Sequence, residues 1–167
     1  RGQTIFIADT RVHEMPDAET LADIATQSAD YARQFGHDPR VALLSYSNFG
    51  QPLAPNTERV REAVKILDGR NVDFEYDGEM AADTALDPAL RERLYPFCRL
   101  SGPANVLVMP ALHSASIAAK LLQQLGGGSA LGPMMHGIEK PVQIVQMGAT
   151  AHDLLTAAGI AAYESID

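Results

Sequence analysis

Three groups of side chains have the types and spacing to do chemistry. Ser45, Ser47 and Asn48 follow an apolar run and precede Gly50. Hydroxyls and backbone N–H groups at such a place can receive a phosphate or carbonyl oxygen, and Ser and Asn are also ordinary turn formers. Asp77, Glu79 and Asp83 are expected to leave a strand together. Clustered carboxylates can hold a divalent cation or act as acid and base, or they can simply start and solubilise the next turn. Asp153 stands three residues after Thr150, just before an apolar run, which is capping-box spacing and reads as structural. Other chemistry is excluded. The five histidines, at 13, 37, 113, 136 and 152, include no pair spaced three or four apart on one helix, and Cys98 has no sulfur partner, so no metal site is expected. Gly126 to Gly128 follow a helical pattern rather than a strand and read as a helix terminus, not a phosphate loop.

These residues need elements to position them. Asp17 is a predicted N-cap for a helix with Leu21, Ile24, Ala25, Ser28, Ala32 and Phe35 on one face, stopped by Gly36. Strands are predicted at Thr4 to Ala8, Val41 to Leu44, Val72 to Tyr76, Asn105 to Met109 and, after Pro141, Val142 to Gln146, with a weaker one at Met134 to Ile138. Thr57 is expected to cap a second helix that Asp68 and Gly69 end, with Val60, Ala63, Val64 and Leu67 inward. Asp87 and Pro88 open a third, running to Tyr95. A fourth carries Ile117, Ala118, Leu121, Leu122 and Leu125, and a last, from Thr150 to about Tyr163, is expected to bury Leu154, Leu155, Ala158, Ala161 and Ala162. Alternating helices and strands with short connections give an α/β fold, helix–sheet–helix in layers with a largely parallel sheet. Ligands of such sheets lie beyond the carboxyl ends of the strands, which points to the loops 45–55, 77–83, 110–116 and 147–150. Almost nothing basic occurs in them, and Lys140 is the nearest cation.

Composition narrows the partners. With 13 Lys and Arg against 21 Asp and Glu the net charge is −8, and no basic cluster or aromatic ladder suits nucleic acid or an anionic membrane. A 46% apolar content supplies one ordinary core. One cysteine forbids an internal disulfide and fits a reducing, cytoplasmic setting. No apolar run approaches the ~20 residues of a membrane helix. The chain opens without Met and enters a strand-like run at once, so a piece of a longer polypeptide is expected.

Four blocks in order, LADIATQSADYARQFGHDPRVALLSYS, DGEMAADTAL, ANVLVMPALHSASIAAKLLQQLGG and GPMMHGIEKPVQIVQMGATAHDLL, resemble the phosphotransacetylase family across nearly the whole chain. The resemblance implies the second half of the two-domain fold shared with isocitrate and isopropylmalate dehydrogenases. Residues 1–145 would form the second α/β subdomain, and residues 146–167 the C-terminal helix that returns to the first. The nearer likeness is to the noncatalytic phosphotransacetylase-like module at the C-terminus of bacterial NADP-dependent malic enzymes.

KPVQIVQMGAT carries that distinction. Active members of the family have Ser-Arg-Gly where this chain has Gln146, Met147 and Gly148. The Ser serves thiol chemistry and the Arg stabilises phosphate and transition-state charge. Asp153 matches a family aspartate near the thiol, while Ala111 and Ser116 depart from the usual acidic or amide residues. A methionine cannot donate to an acyl phosphate, and loss of such a donor costs about 10²–10³ in rate. The resemblance therefore implies an acetyl-CoA-sensing regulatory module without transferase activity. Ser45, Ser47, Asn48, Lys140, Gln146, Met147, Gly148 and Asp153 are its ligand candidates. Malate oxidation, NADP and a divalent metal would belong to an upstream domain of the same oxidoreductase polypeptide, and self-association as a two-fold dimer within a larger oligomer is expected. An active phosphate acetyltransferase and a purely structural oligomerisation module are the competing readings.

Overall fold

The computed structural model describes residues 3–127 and 129–165; Gly128 and the chain ends at 1, 2, 166 and 167 lie outside the described residues. Two compact units divide the chain, Arg1–Ala119 and Lys120–Asp167.

The first unit contains a parallel sheet of β1 (Phe6–Ala8), β2 (Arg40–Leu44), β3 (Glu75–Met80) and β4 (Val106–Val108), in the order β1-β4-β2-β3. Side-chain alternation divides the strands between two cores. Val41, Leu43, Val106 and Val108 face helices α1 (Ala18–Gln34) and α2 (Pro55–Arg70), meeting Leu21, Ala25, Val60, Ala63 and Leu67. Ala42, Leu44 and Leu107 face the other way, onto Met80, Ala85, Leu100 and Ala115. Short helix α3 (Ala82–Leu86) and the start of α5 (Leu112–Leu125) cover that second face, and α4 (Pro88–Leu94) packs against α3. The helix–sheet–helix layering is as expected from the sequence, and the sheet is wholly parallel among the described strands.

Capping explains where the helices begin. Asp17 accepts from the Thr20 N–H at 2.8 Å, and Asp87 accepts from Ala89 and Leu90. Helix α2 departs from the expectation. Pro55 rather than Thr57 opens it, because the Thr57 hydroxyl reaches back to accept from the Ala54 N–H at 3.0 Å and donate to the Ala54 carbonyl at 2.9 Å. The helix also passes Asp68 and Gly69 and stops at Asn71, whose left-handed φ of 51° terminates it.

That longer helix displaces β3 to Glu75–Met80, beyond the predicted Val72 to Tyr76, so Asp77 and Glu79 lie within the strand rather than after it. Asp83 lies on α3, a helix the sequence reading did not contain. Gly78 permits the close pairing of β3 with β2, since a Cβ there would come within 2.7 Å of the Leu43 carbonyl oxygen.

The second unit holds the end of α5 and helix α6 (Ala151–Glu164). The two strands predicted between them, at 134–138 and 142–146, reduce to one antiparallel bridge, Met134 to Gln143. Pro133, Gly137 and Pro141 break this stretch too often for a ladder to propagate. Helix α6 buries no residue fully: Thr156, Ala157, Ile160 and Ala161 are half-buried, while Leu154, Leu155, Ala158 and Ala162 are exposed, contrary to expectation. Leu121, Leu122 and Leu125 of α5 are exposed as well. Apolar periodicity marked faces that could be covered, but no described residue covers these.

Candidate functional site

At the carboxyl end of β2 the chain enters the 45–54 loop, which is tied to β3 at several points. The Ser45 N–H donates to the Met80 carbonyl at 2.9 Å and the Phe49 N–H to the Glu79 carbonyl at 2.8 Å. Asn48 Oδ1 accepts from the Ala81 N–H at 2.8 Å, while Asn48 and Gln51 exchange backbone bonds at 3.1 Å. Phe49 and Gly50 turn the chain with φ of 49° and 91°, and a Cβ on Gly50 would lie 2.6 Å from Arg61 Nη1.

Beneath this loop lies Glu79, with no exposed surface. Its Oε1 accepts from Ser47 Oγ at 2.8 Å and from the Gly50 N–H at 2.7 Å, while Oε2 is buried without a partner. Ser47 is also fully buried, so its hydroxyl points into the protein, whereas Ser45 is half-buried and Tyr46 is 64% exposed.

The three acidic residues do not converge. Asp77 accepts from the Gly78 N–H at 2.9 Å and the Arg99 N–H at 2.8 Å, tying β3 to the segment after α4. Arg99 stacks on Tyr76, 4.6 Å from the ring centre, and binds Asp68. Asp83 accepts from the Thr84 N–H at 2.8 Å. Among the described residues no group of three or more His, Cys, Asp or Glu could hold a metal ion. Beside Asp77, burial pushes the Cys98 thiol up to about 11.

The sequence reading passed over the carboxyl end of β1. Asp9 follows that strand and accepts from the N–H groups of Arg11, Val12 and His13 and from His13 Nδ1 at 2.8 Å. Burial opposes its ionisation, yet these bonds hold Asp9 below the usual carboxylate range. Nearby in the same unit, Arg59 donates to the Pro110 carbonyl at 2.9 Å. An acidic residue immediately after a strand was the available signal for Asp9, and its four donors come from the turn that follows.

In the second unit a hollow of about 170 Å³ is lined by Leu131, Gln143, Gln146, Gly148, Asp153 and Ile160, among others. Gln146, Gly148 and Asp153 are thus brought together, whereas Lys140 and Met147 are exposed and do not line it. Among the described residues no Lys, Arg or His lines the hollow, and Asp153 is the one charged residue in that lining. The Asp153 carboxylate accepts from the Thr150 N–H and hydroxyl, both at 2.8 Å, and its N–H donates to Thr150 Oγ at 3.2 Å, completing the capping box. The backbone bond first, then the hydroxyl, lowers the Asp153 pKa.

Residues 1–162 match the phosphate acetyl/butaryl transferase family. The chain belongs to this family. It is 60% identical over 165 residues to an NADP-dependent malic enzyme of Rhizobium meliloti, matching 99% of this chain but 22% of that protein. A phosphate acetyltransferase of Treponema pallidum is 42% identical, with 99% of this chain and 50% of that protein covered. The EutD phosphotransacetylase structure from Staphylococcus aureus superposes with a TM-score of 0.90 at 34% identity, covering 99% of this chain and 52% of that one. The family member described here therefore spans about half of these transferases and 22% of the malic enzyme. No helix among the described residues is long and apolar enough to cross a membrane.

Proposed function

We propose that the chain is an acetyl-CoA-binding regulatory module of a malic enzyme polypeptide, without phosphotransacetylase activity of its own. The observation that supports this reading is the hollow around Gln146, Gly148 and Asp153 in the second unit, whose described lining includes no Lys, Arg or His. Transfer of an acetyl group to phosphate concentrates negative charge that a positioned guanidinium or ammonium must meet. Gln146 and Met147 stand where the family resemblance places the reactive Ser and Arg. Recognition of a CoA ester is less demanding, because many contacts distributed along a groove share it. Within the second unit Gln146, Gly148 and Asp153 are the candidate contacts, and within the first unit Ser45 and Asn48 are candidates considered by themselves. Identity of 60% to a malic enzyme supports an attached upstream domain, where malate, NADP and a divalent metal would be handled.

The retained Gly148 and Asp153, with 42% identity to a phosphate acetyltransferase, favour an active transferase as the second reading. Titrating acetyl-CoA calorimetrically into the complete polypeptide, with phosphate present, separates the two. The sensor gives a saturating isotherm and no continuing heat. Sustained heat with acetyl phosphate formation would establish the transferase, and absence of heat at two temperatures would leave a structural role in oligomer assembly.

A further inference from the structure

The buried Glu79 has no part in the function proposed above, and its bonding is asymmetric. One oxygen receives two donors from the 45–54 loop and the other receives none. A buried carboxylate oxygen without a partner is destabilising, so stability alone does not account for a glutamate here. Its two bonded donors come from opposite sides of the turn at Phe49, and both carry the loop toward the carboxyl end of the sheet. Ser47 has a single hydroxyl proton, and Glu79 at 2.8 Å takes it. Ser47 therefore has no proton left for a ligand. Ser45 Oγ, 3.5 Å from Ser47 Oγ and half-buried, is the hydroxyl on the outer side of this arrangement.

We propose that Glu79 is a positioning residue that fixes the 45–54 loop from below, turning Ser47 inward and leaving Ser45 as the hydroxyl presented at the strand ends. The ligand aspect rests on the acetyl-CoA reading; the fixing of the loop does not.

The test uses the full chain and hydrogen–deuterium exchange at the Gly50 amide, the group Glu79 holds directly. Glu79→Met removes both acceptors at similar volume and is expected to accelerate Gly50 exchange about tenfold or more, while the Val41 to Leu43 ladder keeps its protection. Glu79→Gln retains a carbonyl acceptor and restores the protection. Ser47→Ala keeps the Gly50 bond and leaves Gly50 exchange nearly unchanged, and Glu79→Gln supplies the readout should Glu79→Met fail to fold. Unaltered Gly50 exchange in a folded Glu79→Met protein, or failure of Glu79→Gln to protect Gly50 while the ladder stays protected, overturns the proposal. An acetyl-CoA titration then compares the serines: Ser45→Ala is expected to weaken binding about tenfold and Ser47→Ala much less. The reverse order overturns the assignment of Ser45. If the unaltered protein binds no acetyl-CoA, the functional reading fails and exchange still decides the role of Glu79.

Discussion

Arg91 shows how a single charge can be placed inside this protein with no acidic partner among the described residues. It is buried, and its guanidinium donates to the carbonyls of Thr84, Ala85, Leu100 and Gly102 at 2.7 to 3.3 Å. Those carbonyls come from the end of α3 and the segment after α4, so the side chain closes a loop that has no ladder of its own. Arg91→Met should lower unfolding free energy by about 3 kcal/mol, read from urea denaturation, because it strands buried acceptors. At Asp153 the test is pH. Its folded pKa lies below the unfolded value, so the cap it forms with Thr150 is fully present above the unfolded pKa. That contribution is lost as pH falls through the folded pKa. Acid titration followed by circular dichroism should show helix loss in this range, and Asp153→Asn should remove that step. Thr150→Ala should cost about 1 kcal/mol of helix stability at neutral pH.

Among the elements, the pairing of β2 with β3 depends on the absence of a side chain at position 78. Gly78→Ala would press a methyl group onto the Leu43 carbonyl, and a loss of about 2 kcal/mol in chemical denaturation is expected. Local signals made much of this architecture legible. Asp17 and Asp87 announce their helices, and the apolar runs at β2 and β4 announce buried strands, since caps and periodicity depend on neighbours in sequence. Strand β3 was misplaced for the opposite reason. A Glu-Tyr-Asp-Gly-Glu-Met strand is stable only because Arg99 and Ser101 meet its first carboxylates and Ser47 and Gly50 meet its last. The candidate site divides likewise. The Thr150–Asp153 cap could be read directly, but the inward turn of Ser47 required a partner 32 residues away.

For the whole molecule, apolar faces without a cover are the dominant feature of its second unit. Leu125 is 79% exposed and Leu155 73% exposed. Because neither is packed, Leu125→Gln with Leu155→Gln should alter unfolding free energy by no more than about 0.5 kcal/mol. The same pair should reduce light scattering of the isolated chain, since exposed apolar patches promote association. Cys98 has a consequence of another kind. With its thiol raised to about 11, on the order of one molecule in ten thousand carries the thiolate at pH 7. Slow modification of Cys98 by maleimides and iodoacetamides at neutral pH is the expected outcome, checked by mass spectrometry of the labelled chain. A cysteine introduced at the exposed Tyr46 position would take a fluorophore selectively, making the movement of the loop above Glu79 visible as colour and anisotropy without first removing the native thiol.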